Sequence, residues 1–209
     1  MRVLFCKISC MKYYKGHCDD DIPLNGGQYV KEYGYGYEEY NFLPRVLNDE
    51  LEEICLGFVE PKSNRGRRNT FHLENIEGCA ALKDEPFVED VLVIWCATRE
   101  RKDTTVVGWY NHAAVWRELQ VWPFTDKGEE TGQSYNVMAK ASDCVLLPAH
   151  KRNRAEWSIP SARYTRSYGF GQSMVWYPTE EEAKPYLACL IESISSYYGE
   201  NWLYCFPKD

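Results

Sequence analysis

The sequence predicts an α+β fold in which a mostly β sheet or small barrel is covered by a helix near the end of the chain. Short runs of β-branched and aromatic residues, bounded by turn residues, recur as far as Tyr177. One segment whose apolar residues have helical spacing follows them. A chain of 209 residues can bury one ordinary core, and no linker or internal repeat divides it. We therefore expect a single domain over residues 1–209.

The predicted strands come first along the chain. Nine segments have the composition of strands, namely residues 2–9, 54–60, 69–76, 90–98, 104–110, 113–119, 135–141, 144–148 and 172–177. The polar connector RERKD, at 99–103, separates two of them, which predicts a hairpin of 90–98 and 104–110. We place this hairpin at the centre of the sheet.

The predicted helix follows the strands. Thr179 and Glu182 have the spacing of a capping box, and Pro185 is tolerated in the first turn of a helix. Gly199 is a candidate stop signal. Apolar residues at helical spacing predict the face that packs on the sheet: Leu187, Leu190, Ile191 and Ile194.

Two long irregular segments interrupt this pattern. Residues 24–44 are rich in glycine and tyrosine and predict a long aromatic loop. Residues 149–171 combine basic and aromatic side chains and predict a second, basic loop. Loops of this length in a compact domain commonly carry function, so both are candidates for a binding surface.

The charge distribution has two interpretations. The net charge is -7, which argues against a broad non-specific grip on nucleic acid. Basic residues nevertheless concentrate at 62–68, 150–154 and 162–166, where they could form a local phosphate-binding rim or three ordinary solvated loops. The candidate phosphate-binding residues are Arg65, Arg67, Arg68, Lys151, Arg152, Arg154 and Arg163.

The cysteines indicate a reducing compartment. Their number, nine, is odd, and no Cys-x-x-Cys occurs, which favours reduced thiols over a disulfide framework. Cys6, Cys10, His17 and Cys18 have ligand types suited to zinc, but their spacing matches no common zinc knuckle. No apolar run is long enough to span a membrane, and the N-terminus does not have the pattern of a signal peptide. We expect a soluble, cytoplasmic protein without a metal or cofactor.

The segment TTVVGWY, at 104–110, places two large rings side by side. Neighbouring side chains on a strand point to opposite faces, so these two rings need two environments. Gly108 clears space and Val107 shares a face with Trp109, so we expect Trp109 to face a ligand and Tyr110 to face the core.

The chain has more rings than a core of this size needs. Aromatic residues make up 15% of the sequence. Trp95 and Trp176 lie in apolar strands and are expected in the core. The remaining rings could line a cage for a flat ligand, because stacking a base on an aromatic ring is worth about 1–3 kcal/mol.

A nuclease site is the alternative interpretation. Asp49, followed by Glu60 and Lys62, imitates the arrangement of an acid and a strand ending Glu-x-Lys that holds Mg²⁺ in some nucleases. Pro61 lies between the acid and the lysine and would disturb that strand. Such short motifs arise readily by chance, so a binding module is favoured. Whether the chain is an enzyme stays open, either as this nuclease or through a base-processing activity in the same pocket as the aromatic cage.

Two segments resemble a known superfold. VLFCKIS (3–9) and DVLVIWCATRERKDTTVVGWYNHAAVW (90–116) resemble the first strand and central hairpin of YTH and EVE domains, which belong to the PUA-like superfold. Residues 10–16, 25–42 and 169–177 also resemble an N-terminal domain attached to HNH nucleases of bacterial restriction-type proteins. The resemblance implies a bent β-barrel with a mixed sheet, flanking helices and a C-terminal helix.

The resemblance also implies a reader of modified bases. Such domains hold a flipped base in an aromatic cage, here expected in DNA and as part of a restriction or defence system, with a nuclease effector as a further candidate partner. The implied base-binding residues are Lys7 and Ser9 at the pocket floor, Trp109 on its wall, Tyr13, Tyr14 and Tyr29 as further rings, and Asn41 and Gln172 at the base edge. A PUA-like domain that binds a small molecule remains a third possibility.

Overall fold

The computed structural model describes residues 1–24, 36–46, 52–60, 70–99, 103–126 and 129–207, and only the backbone of residues 124–126 and 129–131. This part of the chain has the predicted α+β class, with one mixed, largely antiparallel sheet of eight strands and few helices. The strands are β1 (Arg2–Ile8), β2 (Pro44–Val46), β3 (Glu53–Gly57), β4 (Phe87–Thr98), β5 (Thr104–Asp126), β6 (Glu129–Lys140), β7 (Cys144–Leu146) and β8 (Val175–Trp176).

The strand order is β2-β3-β6-β5-β4-β1-β8, and β7 pairs with β5 beside β6. β1 runs parallel to β4, whereas the other pairings are antiparallel. Within the described ranges, no pairing between β2 and β8 closes the sheet into a barrel.

The predicted central hairpin is confirmed, because β4 and β5 pair from Thr98 and Thr104 at their connection. The predicted strands 104–110 and 113–119 are parts of the single long strand β5. The prediction of a strand over 69–76 is wrong for residues 70–76, which contain a 3₁₀ turn at Leu73–Asn75.

A bulge in this hairpin decides where Trp109 points. The register shifts between Trp95 and Cys96, which leaves Val107 as an extra residue on β5. The core consists of two buried clusters, one on each face of the sheet. Since the bulge interrupts the alternation of side chains, Val107 and Tyr110 lie in one cluster and Trp109 lies in the other. Both rings are therefore core residues, on opposite faces of a sheet that is covered on both sides.

Gly108 is required by a close approach of three segments. A Cβ at this position would overlap the carbonyl oxygen of Val145 on β7 and the ring of Phe42. The glycine therefore clears space for neighbouring protein rather than for a ligand.

Two helices complete the described structure: α1 (Ala162–Thr165) and α2 (Lys184–Ser195). The helix predicted from apolar spacing is α2, with Pro185 in its first turn and with Leu190 and Ile194 buried in the cluster that contains Trp109. Its N-cap is Ala183 without a side-chain cap, so the capping box predicted at Thr179 does not begin this helix. Among the described residues, no helix is both long and apolar enough to cross a membrane.

Candidate ligand-binding cleft

A cleft with a volume of about 770 Å³ lies where β1 ends and β5 begins. Three segments line it: residues 10–24 after β1, the flanks of the β4–β5 connection, and residues 149–158 after β7. Met11 and Val107 contribute apolar floor, beside Thr105. Ligand pockets are commonly about 300–1,000 Å³, so the cleft has the size of a small-molecule or nucleoside site.

The first wall is a loop that its own backbone closes. Cys10 and Leu24 exchange two backbone hydrogen bonds, of 2.9 and 3.0 Å, at the mouth of the loop. Inside it, the buried carboxylate of Asp21 accepts hydrogen bonds from the backbone N–H groups of Lys12 (2.5 Å) and Tyr13 (2.8 Å). These bonds hold the wall of the cleft in place through the protein's own backbone.

Arg152 joins this wall to the segment after β7. Its guanidinium donates to the carbonyl oxygens of Leu147 (2.8 Å), Met11 (2.6 Å) and Lys12 (2.7 Å), and only 5% of the residue is exposed. Burial lowers the pKa of Arg152 from its ordinary value, while the charge of Asp21 acts in the opposite direction. Within the described part of the chain, these bonds occupy three of the five N–H groups of a guanidinium that lines the cleft.

The cleft is balanced in charge. Four of its described lining residues are basic and four are acidic: Lys12, Arg99, Arg152 and Arg154, and Asp19, Asp20, Asp21 and Asp103. Apart from Arg152 and Asp21, these side chains are exposed at the rim. A ligand in the cleft thus meets both cationic donors and anionic acceptors, whereas no described residue lining it is aromatic.

Comparison with protein-family models, with curated proteins and with solved structures finds no significant match to this chain.

The basic loop supplies part of the predicted phosphate-binding set. Arg152 and Arg154 line the cleft. Arg152 is buried and links two segments of the protein, so it is not an exposed rim residue. Lys151 lies next to them with its amine 6.0 Å from the ring of Tyr197. Arg163 is exposed on α1, outside the cleft lining. Arg65, Arg67 and Arg68 lie outside the described residues.

The predicted aromatic cage is wrong at two of its rings. Trp109 is 1% exposed and packs against Trp157, with ring centroids 5.6 Å apart, and against Tyr197 at 5.5 Å. Tyr14 is fully buried and donates its hydroxyl to the carbonyl oxygen of Ser9 at 2.8 Å. Both rings are committed to the core, so neither can stack on a base.

The predicted base-edge residue Asn41 and the predicted floor residue Ser9 also form hydrogen bonds within the protein. The buried Asn41 amide donates to the Phe58 carbonyl oxygen (3.0 Å) and accepts from the Phe58 N–H (2.9 Å). Ser9 is buried, and its backbone N–H donates to the carboxylate of Glu38 at 2.5 Å. Internal hydrogen bonding thus explains why these polar residues are in the interior.

The other predicted base-binding residues do not line the cleft. Tyr13 stacks on Trp202 with centroids 5.4 Å apart, and the amine of Lys7 lies 5.2 Å from the ring of Phe170. Gln172 is exposed elsewhere. Tyr29 lies outside the described residues.

The alternative nuclease site stays a prediction. Glu60 is exposed, and Asp49 and Lys62 lie outside the described residues. Within the described ranges, no group of three histidine, cysteine or acidic side chains could hold a metal ion.

Sequence reasoning missed most of the cleft. It did not select Lys12, Asp19, Asp20, Arg99 or Asp103, although all are charged residues just beyond predicted strands or in short acidic and basic runs. The position of these residues in the sequence could have identified them, because charged residues at the ends of neighbouring strands lie together at one edge of a sheet.

Proposed function

We propose that this chain is a nucleic-acid-binding module that accepts one extruded, modified base in the cleft between residues 10–24 and 149–158. DNA is the proposed nucleic acid, and a PUA-like fold, a cytoplasmic location and a role in restriction or defence belong to the same proposal. The observation that supports it most is the cleft itself, with about 770 Å³ of space beside a rim of exposed cations.

The rim supplies groups suited to a nucleic-acid backbone. Lys12, Arg99 and Arg154 are exposed and come from three different segments around the opening. Phosphate contacts from such side chains position a strand without reading its sequence. The net charge of -7 restricts this grip to the cleft, so we expect binding that is local and sensitive to salt.

The interior supplies groups suited to a base edge. Arg152 has two guanidinium N–H groups beyond its three carbonyl bonds, and Thr105 adds a hydroxyl. Because no described ring lines the cleft, recognition here depends on hydrogen bonding and shape, not on stacking in a cage. Extruding a base costs a few kcal/mol, and contacts at the rim and floor must offset that cost.

The proposal is tested by fluorescence-anisotropy titration with labelled duplexes that differ only in one methylated or hydroxymethylated base. We expect tighter binding of at least one modified duplex than of the plain duplex. The double variant Arg99→Ala/Arg154→Ala should weaken binding to all duplexes and lower the slope of log K against log salt by about 2. Arg2→Ala is the matched control, because Arg2 begins β1 at the end of the strand away from the cleft. Equal affinity for every duplex would refute base reading.

The charge balance of the cleft favours one second candidate. Four cations and four anions suit a small zwitterionic metabolite as well as a base. Binding of such a metabolite would depend weakly on salt, whereas phosphate contacts make nucleic-acid binding strongly salt-dependent. The same titrations at 50 and 200 mM salt therefore separate the two functions.

A further inference from the structure

Lys15 has a buried amine with unusual surroundings. Its Nζ has no hydrogen-bond partner among the described residues, although the atom is shielded from solvent. The ring of Phe206, near the end of the chain, covers it with its centroid 5.5 Å away. Buried amines ordinarily have a partner, so this one needs an explanation, and the cleft does not provide it because Lys15 is not part of its lining.

The ionisable groups that act on this amine are thiols. Among the described residues they are Cys55 on β3, Cys144 on β7 and Cys205, which follows the 3₁₀ turn at Trp202–Tyr204. Burial lowers the pKa of Lys15 to about 8, and the three thiols oppose this only in part. The neutral fraction of such an amine is a nucleophile near neutral pH, as in lysines that form Schiff bases.

We propose that Lys15 is a covalent binding site for small aldehydes. The Nζ lone pair of the neutral amine attacks the carbonyl carbon as the C=O π bond breaks, and one N–H proton passes to the oxygen. The carbinolamine then loses its hydroxyl with the second N–H proton as water, which leaves an imine between Nζ and that carbon. No oxidant or reductant takes part, and the step reverses by hydrolysis.

The ring of Phe206 controls access to the amine. Phe206 is 53% exposed, and exposed side chains change rotamer readily, so the ring can move aside. The preceding residues are held more firmly: the Tyr204 hydroxyl donates to the Glu53 carboxylate at 2.7 Å, and Asn201 bonds the backbone of Cys144 and Leu146. An opening limited to the Phe206 ring favours a small aldehyde, and this proposal does not depend on the function of the cleft.

The test is reductive alkylation of the whole protein with acetaldehyde and cyanoborohydride at low conversion, followed by peptide mass mapping. Lys140 and Lys184 are matched controls, because both amines are exposed and hydrogen bonds to Glu52 and Glu181 raise their pKa. At pH 7.5 a pKa of about 8 leaves about a quarter of the amine neutral, against about 0.1% for an ordinary lysine. We expect Lys15 to react at least about ten times faster than either control, allowing for its restricted access.

The pH profile distinguishes a buried nucleophile from a chance reaction. The pH dependence of the reductant is shared by all sites, so the profile is the rate at Lys15 divided by the rate at the controls. This ratio should fall once the pH exceeds about 8, because Lys15 is then largely neutral while the controls still gain neutral amine. Phe206→Ala exposes the amine, so the midpoint of the Lys15 profile should move upward. Slower modification of Lys15 than of Lys140, or an unchanged midpoint in Phe206→Ala, would overturn the proposal.

Discussion

Arg152 joins the two walls of the cleft, and its replacement by leucine tests that role. Arg152→Leu removes three hydrogen bonds, of 2.6–2.8 Å, from a charged donor and leaves three carbonyl oxygens without that partner. Hydrogen bonds to charged groups contribute about 1.5–3 kcal/mol each. The leucine variant avoids the cost of burying a guanidinium, which offsets several kcal/mol of this loss. We therefore expect a net loss of about 3–5 kcal/mol in the free energy of unfolding.

Urea denaturation measures this loss as a lower midpoint at an unchanged slope. Arg163→Leu is the control, because Arg163 is exposed on α1, and it should change stability by less than about 0.5 kcal/mol. Arg152→Lys keeps the charge but cannot reach three carbonyls at once. Its loss in the free energy of unfolding should therefore lie between those of Arg152→Leu and Arg163→Leu. A loss of less than about 1 kcal/mol in Arg152→Leu would refute the role of Arg152 in joining the two walls of the cleft.

Two further predictions concern the core and the acid range. Trp109→Ala should destabilise the protein by about 3–5 kcal/mol in urea denaturation, since the ring is buried. Tyr164→Ala is the control and should be nearly neutral, because Tyr164 is 77% exposed. Equal effects of the two substitutions would contradict the core position of Trp109. The pKa of Glu74 is lowered to about 2, chiefly by its own backbone N–H and then by Arg117 and His72. Its contribution is therefore complete above about pH 4.5 and is lost as the pH falls toward 2. Glu74→Gln should flatten the acid loss of stability by less than about 1 kcal/mol, and an unchanged curve would contradict this pairing.

Local patterns predicted the central hairpin and the C-terminal helix. A polar connector between two apolar runs is enough to define the hairpin, because adjacent antiparallel strands need only a short link. The spacing of Leu190 and Ile194 likewise defines the buried face of α2. These features depend on neighbours in sequence, which a single chain displays.

The side to which Trp109 points could not be predicted, because it depends on a bulge. One extra residue at Val107 reverses the alternation that the sequence suggests. Burial of β5 on both faces then leaves no solvent-facing side for the second ring. The two-residue alternation of a strand sequence reveals neither the bulge nor the burial of both faces.

The cleft could not be assembled from sequence for a related reason. Arg152 bonds the backbone of Met11 and Lys12, which precede it by about 140 positions. The acceptors are carbonyl oxygens, which every residue carries, so no side-chain motif marks the contact. Only the parallel pairing of β1 with β4 brings the end of β1 beside the start of β5.

The most direct test of the central claim fills the cleft without changing its charge. Thr105→Trp adds a large side chain at the floor and leaves Arg99 and Arg154 at the rim. If one base enters the cleft, the variant should keep the salt-dependent affinity for plain duplex and lose the preference for the modified duplex in anisotropy titrations. A Thr105→Trp protein that is folded by circular dichroism and still prefers the modified duplex as strongly as the parent would contradict the account.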